Sequence, residues 1–238
     1  MSDQHGDELL AWIGRYASYA HRAEQGPASG MRAGISLTAR RGPDAREGLL
    51  RMGVADTVMD EPVLYRDFVQ PAAGEPGYLP GASSIGMLGG CGQWTYILEN
   101  DLAATWYLAQ LLDPGLVARA DEEIVCVSLN HHDLPGTVAY SPFGMEDAWT
   151  AEFGRGFRES LFAAPEDPSG DLAAFDEALT RAEAVYSTLQ DGRAWRDVTE
   201  DEWASAVYRA VGDRFGIGVD RAQVEQGLLA AVVLPLPE

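Results

Sequence analysis

The chain has 238 residues, 46% of them hydrophobic and 23% charged, and its 37 acids against 17 bases give a net charge of −20. That length and balance suit a soluble globular fold with a core large enough to need no disulfide or metal staple. The acidic surplus argues against phosphate backbones and anionic membrane surfaces as partners. All 17 bases are arginine. The charge is uneven: residues 1–80 carry −3, residues 81–150 carry −8 with Arg119 as their one base, and residues 151–238 carry −9. No apolar run reaches the roughly 18 residues of a spanning helix. The amino terminus, MSDQHGDELLAW, lacks a basic region leading into an apolar core, so no signal peptide and a cytoplasmic setting are expected.

In chain order, the first predicted element is a helix from Asp7 to Glu24, with Leu9, Ile13, Tyr16, Ala17 and Ala20 on one face and Gly26-Pro27 as its stop. AGISLTA then alternates as a short strand. A small helix follows, with Pro43 near its first turn, Leu49 and Leu50 on its inner face and Gly53 just past its end. The pattern weakens from Ala55 to Ser83, where PAAGEPGYLPGAS reads as a loop.

The sheet candidates come next: Ser84–Leu88, Gln93–Glu99, Glu123–Leu129, Thr137–Ser141 and Ala148–Phe153. A Gly89-Gly90 turn is expected between the first two. Trp94, Tyr96 and Leu98 alternate with Gln93, Thr95 and Ile97, which predicts one well-buried face. A helix from Asp101 to Leu112 separates the second candidate from the third, capped by Asn100 or Asp101 and stopped by Asp113-Pro114-Gly115. The later strands are joined by short turn-rich segments, so mainly antiparallel pairing is expected.

Beyond the linker at Pro165–Gly170 the chain reads as helical. Leu172, Phe175, Leu179, Ala182 and Tyr186 form a stripe on a helix ending near Gly192. Thr199 and Glu202 make a capping-box pattern before a helix that buries Trp203, Val207, Val211 and Phe215. Asp220 caps a last helix expected to run through Leu229. The prediction is an α+β protein: a mainly antiparallel sheet of about five to six strands flanked by helices in residues 1–164, and a helical C-terminal region, 165–238, on the same core.

Three blocks carry a family likeness: ISLTARRGPDAREGLLRMGV at 35–54, SIGMLGGCGQWTYILENDLAAT at 84–105, and IVCVSLNHHDLPGTVAYSPFG at 124–144. DRFGIGVDRAQVEQGLLAAVVLPLP at 213–237 adds a fainter match. With these blocks the chain resembles a family of uncharacterised bacterial proteins described only as a domain of unknown function. The resemblance implies an α+β layout and brings no activity, cofactor or site residue with it.

The polar cluster with the most chemistry is Asn130-His131-His132-Asp133. Imidazole and carboxylate are metal ligands and acid–base groups near neutral pH, which makes His131, His132 and Asp133 the metal candidates. Neighbours on a strand point to opposite faces, and Asp-Leu-Pro-Gly is ordinary turn chemistry, so the plainer reading is a hairpin loop. GGCG at 89–92 precedes a strand and lacks the Lys-Ser/Thr of a phosphate loop, so it reads as a tight hairpin. Asp121-Glu122-Glu123 reads as a turn entering a strand, and Glu200-Asp201-Glu202 as a complement to a helix dipole. Cys91 and Cys126 read as small buried hydrophobes rather than a disulfide or reactive thiols. No nucleophile elbow stands out, and no cofactor or catalytic residue is assigned. The expectation is a non-catalytic acidic interaction or accessory protein with a basic protein partner and no nucleic acid, in a bacterial defence or toxin–immunity setting. The alternative is a small-ligand binder or metal-dependent enzyme centred on the His131–Asp133 loop.

Overall fold

The computed structural model describes residues 9–16, 35–68, 83–100, 119–128, 136–143, 149–153, 170–181 and 199–235. Its spine is a seven-stranded sheet built from β1 (Ile35–Arg41), β2 (Ser83–Cys91), β3 (Trp94–Asn100), β4 (Glu123–Ser128), β5 (Gly136–Ser141), β6 (Trp149–Phe153) and β7 (Ala230–Pro235). The strands lie in the order β6-β5-β4-β1-β3-β2-β7. All six pairings are antiparallel. With the helices described below, this is the α+β class expected from the sequence.

Period-two alternation decides which side chains meet. One face presents Leu37, Ala39, Tyr96, Leu98, Val125, Val127, Val138 and Tyr140 to the main core. A 3-10 helix at Ala11–Tyr16 and helices α4 (Asp171–Arg181) and α5 (Glu200–Phe215) share that core through Trp12, Phe175, Leu179, Val207, Tyr208 and Val211. The other face carries a second, smaller core of Ile97, Val232 and Leu234 with Leu49 and Val54, joined by Met52, Val58 and Met59. Those last residues belong to or border α1 (Ala45–Arg51) and α2 (Asp56–Asp60). This second layer is why Ile97, on the face opposite Trp94, Tyr96 and Leu98, is also buried.

Several local expectations change. The β2–β3 turn falls at Gly92-Gln93, not Gly89-Gly90, because Cys91 pairs directly with Trp94. Gly92 has φ +60, which favours glycine. Gly89 and Gly90 lie inside β2. The described part of the first predicted helix is a 3-10 turn, Ala11–Tyr16. Leu50 is 43% exposed while Leu49 is buried, since only one of two successive helical residues faces the sheet. Residues 56–68, where the sequence pattern is weak, hold α2 and α3 (Tyr65–Phe68).

The carboxy-terminal segment differs most. The Asp220 cap is present, its side chain accepting from the Gln223 N–H at 3.1 Å. Helix α6 is short, Arg221–Glu225, and Gly227 turns the chain at φ +63. The VVLP stretch then becomes β7, the seventh strand, paired to β2. Residues 63–65 cover part of its outer edge: Leu64 bridges Ala230, and the Tyr65 N–H donates to the Leu229 carbonyl at 2.8 Å. Pro235 ends the strand without a backbone donor, which blunts the remaining edge.

Candidate functional site

The metal candidates His131, His132 and Asp133, and the helix expected at 101–112, lie outside the described residues. Among the described residues no group of three or more His, Cys, Asp or Glu could hold a metal ion. Both cysteines are free thiols. Burial pushes the Cys126 thiol up to about 12, Glu99 adds to the rise, and a hydroxyl hydrogen bond from Thr38 at 3.4 Å opposes it. Cys91 Sγ accepts from the Gly218 N–H at 3.3 Å. The burial of Cys126 disfavours an attacking thiolate there.

The sharpest polar construction stands at one end of the sheet, where β1 finishes on Arg40-Arg41 and β4 starts behind Glu122-Glu123. Arg41 is paired directly with Glu123 across the antiparallel strands. Neighbouring residues on a strand face opposite ways, so the two dipeptides make one ion pair on each side of the sheet.

On the side of the smaller core, Arg40 and Arg51 both donate to Glu122 Oε1. The Arg119 N–H reaches Oε2 at 3.4 Å. The Arg40 and Glu122 side chains are only 5% and 3% exposed. Burial alone would raise the Glu122 carboxyl, but the hydrogen bonds from Arg40 and Arg51 outweigh it and hold the group below its ordinary range.

On the main-core side, Arg41 Nε donates to Glu123 Oε2 and the Tyr140 hydroxyl donates to Oε1 at 2.7 Å. The Arg41 guanidinium lies 5.0 Å from the Trp94 ring centroid and 5.1 Å from that of Phe143. The Trp94 indole N–H is fixed on the Phe215 carbonyl at 3.0 Å. Behind this pair, Trp94, Tyr140, Phe175 and Phe215 form an aromatic cluster with centroid separations of 5.0–5.6 Å. Arg214 covers Phe215 at 5.4 Å and donates to Asp171 at 2.9 Å. Burial first, and Glu123 second, push the Tyr140 phenol far above its ordinary value, so it serves as a hydrogen-bond donor.

This end of the molecule is built to hold charge in fixed directions. Each arginine over the aromatic cluster is oriented by a carboxylate, and no described group there is poised as a base or nucleophile. Ser128, the last described residue before the His131–Asp133 segment, is at the opposite end of β4 from Glu123. Sequence reasoning placed Asp121-Glu122-Glu123 at a strand entrance but missed the burial of its last two carboxylates. A readable signal existed: a strand ending Arg-Arg and another opening Glu-Glu are complementary on both faces when antiparallel. Comparison with protein-family models, curated proteins and solved structures gave no match.

Proposed function

We propose that this chain is a non-catalytic acidic interaction or accessory protein that docks a basic protein, in a bacterial defence or toxin–immunity setting. It is proposed to belong to the family that its blocks at 35–54, 84–105 and 124–144 resemble. The observation carrying the reading is where the positive charge goes. Among the described residues, at least nine arginines lie within ion-pair distance of a carboxylate of the same chain. With no lysine to add to them, the field reaching a partner is set by the carboxylate surplus, −17 of it within residues 81–238. Such a field steers basic surfaces and rejects nucleic acid.

The test is capture of the tagged chain from its native lysate at about 50 mM and about 0.5 M salt, where the Debye length falls from roughly 14 Å to roughly 4 Å. A basic protein held in stoichiometric amount at low salt and released at high salt is the expected result. A lone chain at both strengths, or retained nucleic acid, would count against the reading.

A further inference from the structure

The construction around Arg41 goes beyond a general acidic surface. Its Nε is held by Glu123, a carboxylate only 4% exposed, while the Arg41 side chain itself remains 34% exposed. Glu123 is fixed in turn by the Tyr140 hydroxyl. Trp94 and Phe143 flank the guanidinium. Trp94 is buried and locked to Phe215, whereas Phe143 is 43% exposed. The Arg41 side chain keeps its exposure with Nε anchored, and its Nη groups make no hydrogen bond among the described residues, which leaves the fork as the part for a ligand to take.

A guanidinium so held has lost its rotamer freedom before any ligand arrives, which is the main entropic penalty of recruiting a free arginine. Its end-on fork matches the two oxygens of a planar carboxylate. The exposed Phe143 ring beside it offers an apolar wall. The net charge of −20 disfavours a dianion more strongly than a monoanion, so a carboxylate suits the site better than a phosphate.

We propose that Arg41, flanked by Trp94 and Phe143 and anchored by Glu123, is a binding site for a small organic monocarboxylate with a flat apolar body. The carboxylate takes the Nη fork and the apolar body lies against Phe143. Glu123 and Tyr140 act as positioning residues, holding Arg41 without touching the ligand.

The probe is phenylacetate, titrated into the full-length protein by NMR, with phenylacetamide as its uncharged counterpart. Two variants accompany it. Arg41→Lys keeps the charge and removes the fork. Phe143→Ala alters an exposed ring and leaves the core intact. Both are first checked for a wild-type circular dichroism spectrum. The expected result is saturable phenylacetate binding with no saturable response to the amide, weakened at least about tenfold in Arg41→Lys and measurably in Phe143→Ala. Absence of saturable binding to the wild type, equal binding of the amide, or wild-type binding by either folded variant would overturn the proposal.

Discussion

At the residue scale, Glu122 is the side chain on which most depends. It joins β1, α1 and the segment before β4 through Arg40, Arg51 and the Arg119 backbone. Removing one partner of a buried pair leaves the other charge without compensation, a larger effect than the net worth of the pair. Glu122→Ala is expected to lower unfolding free energy by about 3 kcal/mol in urea, with little change in slope. A loss below about 1 kcal/mol would show that Arg40 finds another partner or water. The pH dependence has a definite sign. The folded Glu122 carboxyl titrates below its ordinary 4.5, so its contribution is complete at neutral pH and declines as pH falls below that value toward the folded pKa. The stability gap between wild type and Glu122→Gln is therefore expected to narrow on acidification through that window. These carboxylates were not legible singly, because a run of three acids before a strand looks like a solvated turn. Their meaning lies in the pairing of β1 with β4, which brings together residues 82 apart.

At the element scale, the 3-10 helix and α5 meet backbone to backbone at Gly14. A Cβ built on Gly14 would lie 2.2 Å from the Ser205 backbone nitrogen and 2.6 Å from the Ala204 carbonyl carbon. Backbone cannot yield as a flexible side chain can. Gly14→Ala is thus expected to cost about 2 kcal/mol, lowering the melting midpoint by roughly 4–8 °C for a chain of this length; an unchanged midpoint would mean the two elements do not touch so closely. The start of α5 is a full capping box, with the Glu202 N–H donating to Thr199 Oγ1 and the Thr199 N–H to Glu202. Thr199→Ala is expected to remove about 1 kcal/mol, measured in the same melts. That box, the Asp220 cap and the stripe of Leu172, Phe175 and Leu179 were all readable, since capping and helical periodicity are local. β7 was not. A short apolar run ending in prolines has no local mark of a strand, and its identity comes from β2 beside it. The Gly92-Gln93 turn shifted for a related reason: register between β2 and β3, not the run of glycines, sets where the chain reverses.

At the scale of the whole molecule, two cores on opposite faces of one sheet account for the burial of both alternating sets on β3. The charge is arranged differently from the packing. Most of the described arginines are tied to carboxylates, and the surplus acids set the long-range field. Self-repulsion at −20 weakens with ionic strength. Thermal stability is therefore expected to rise between about 10 mM and about 0.3 M sodium chloride, and a fall would mean that screened surface pairs outweigh repulsion. The composition revealed the field but not where a partner would sit. The most direct measurement of the central claim is native mass spectrometry and titration of the purified chain with the basic protein it captures, across a salt series. The account predicts a stoichiometric complex whose affinity drops steeply as salt rises; a complex insensitive to salt, or the chain alone at its own mass at low salt, would contradict it.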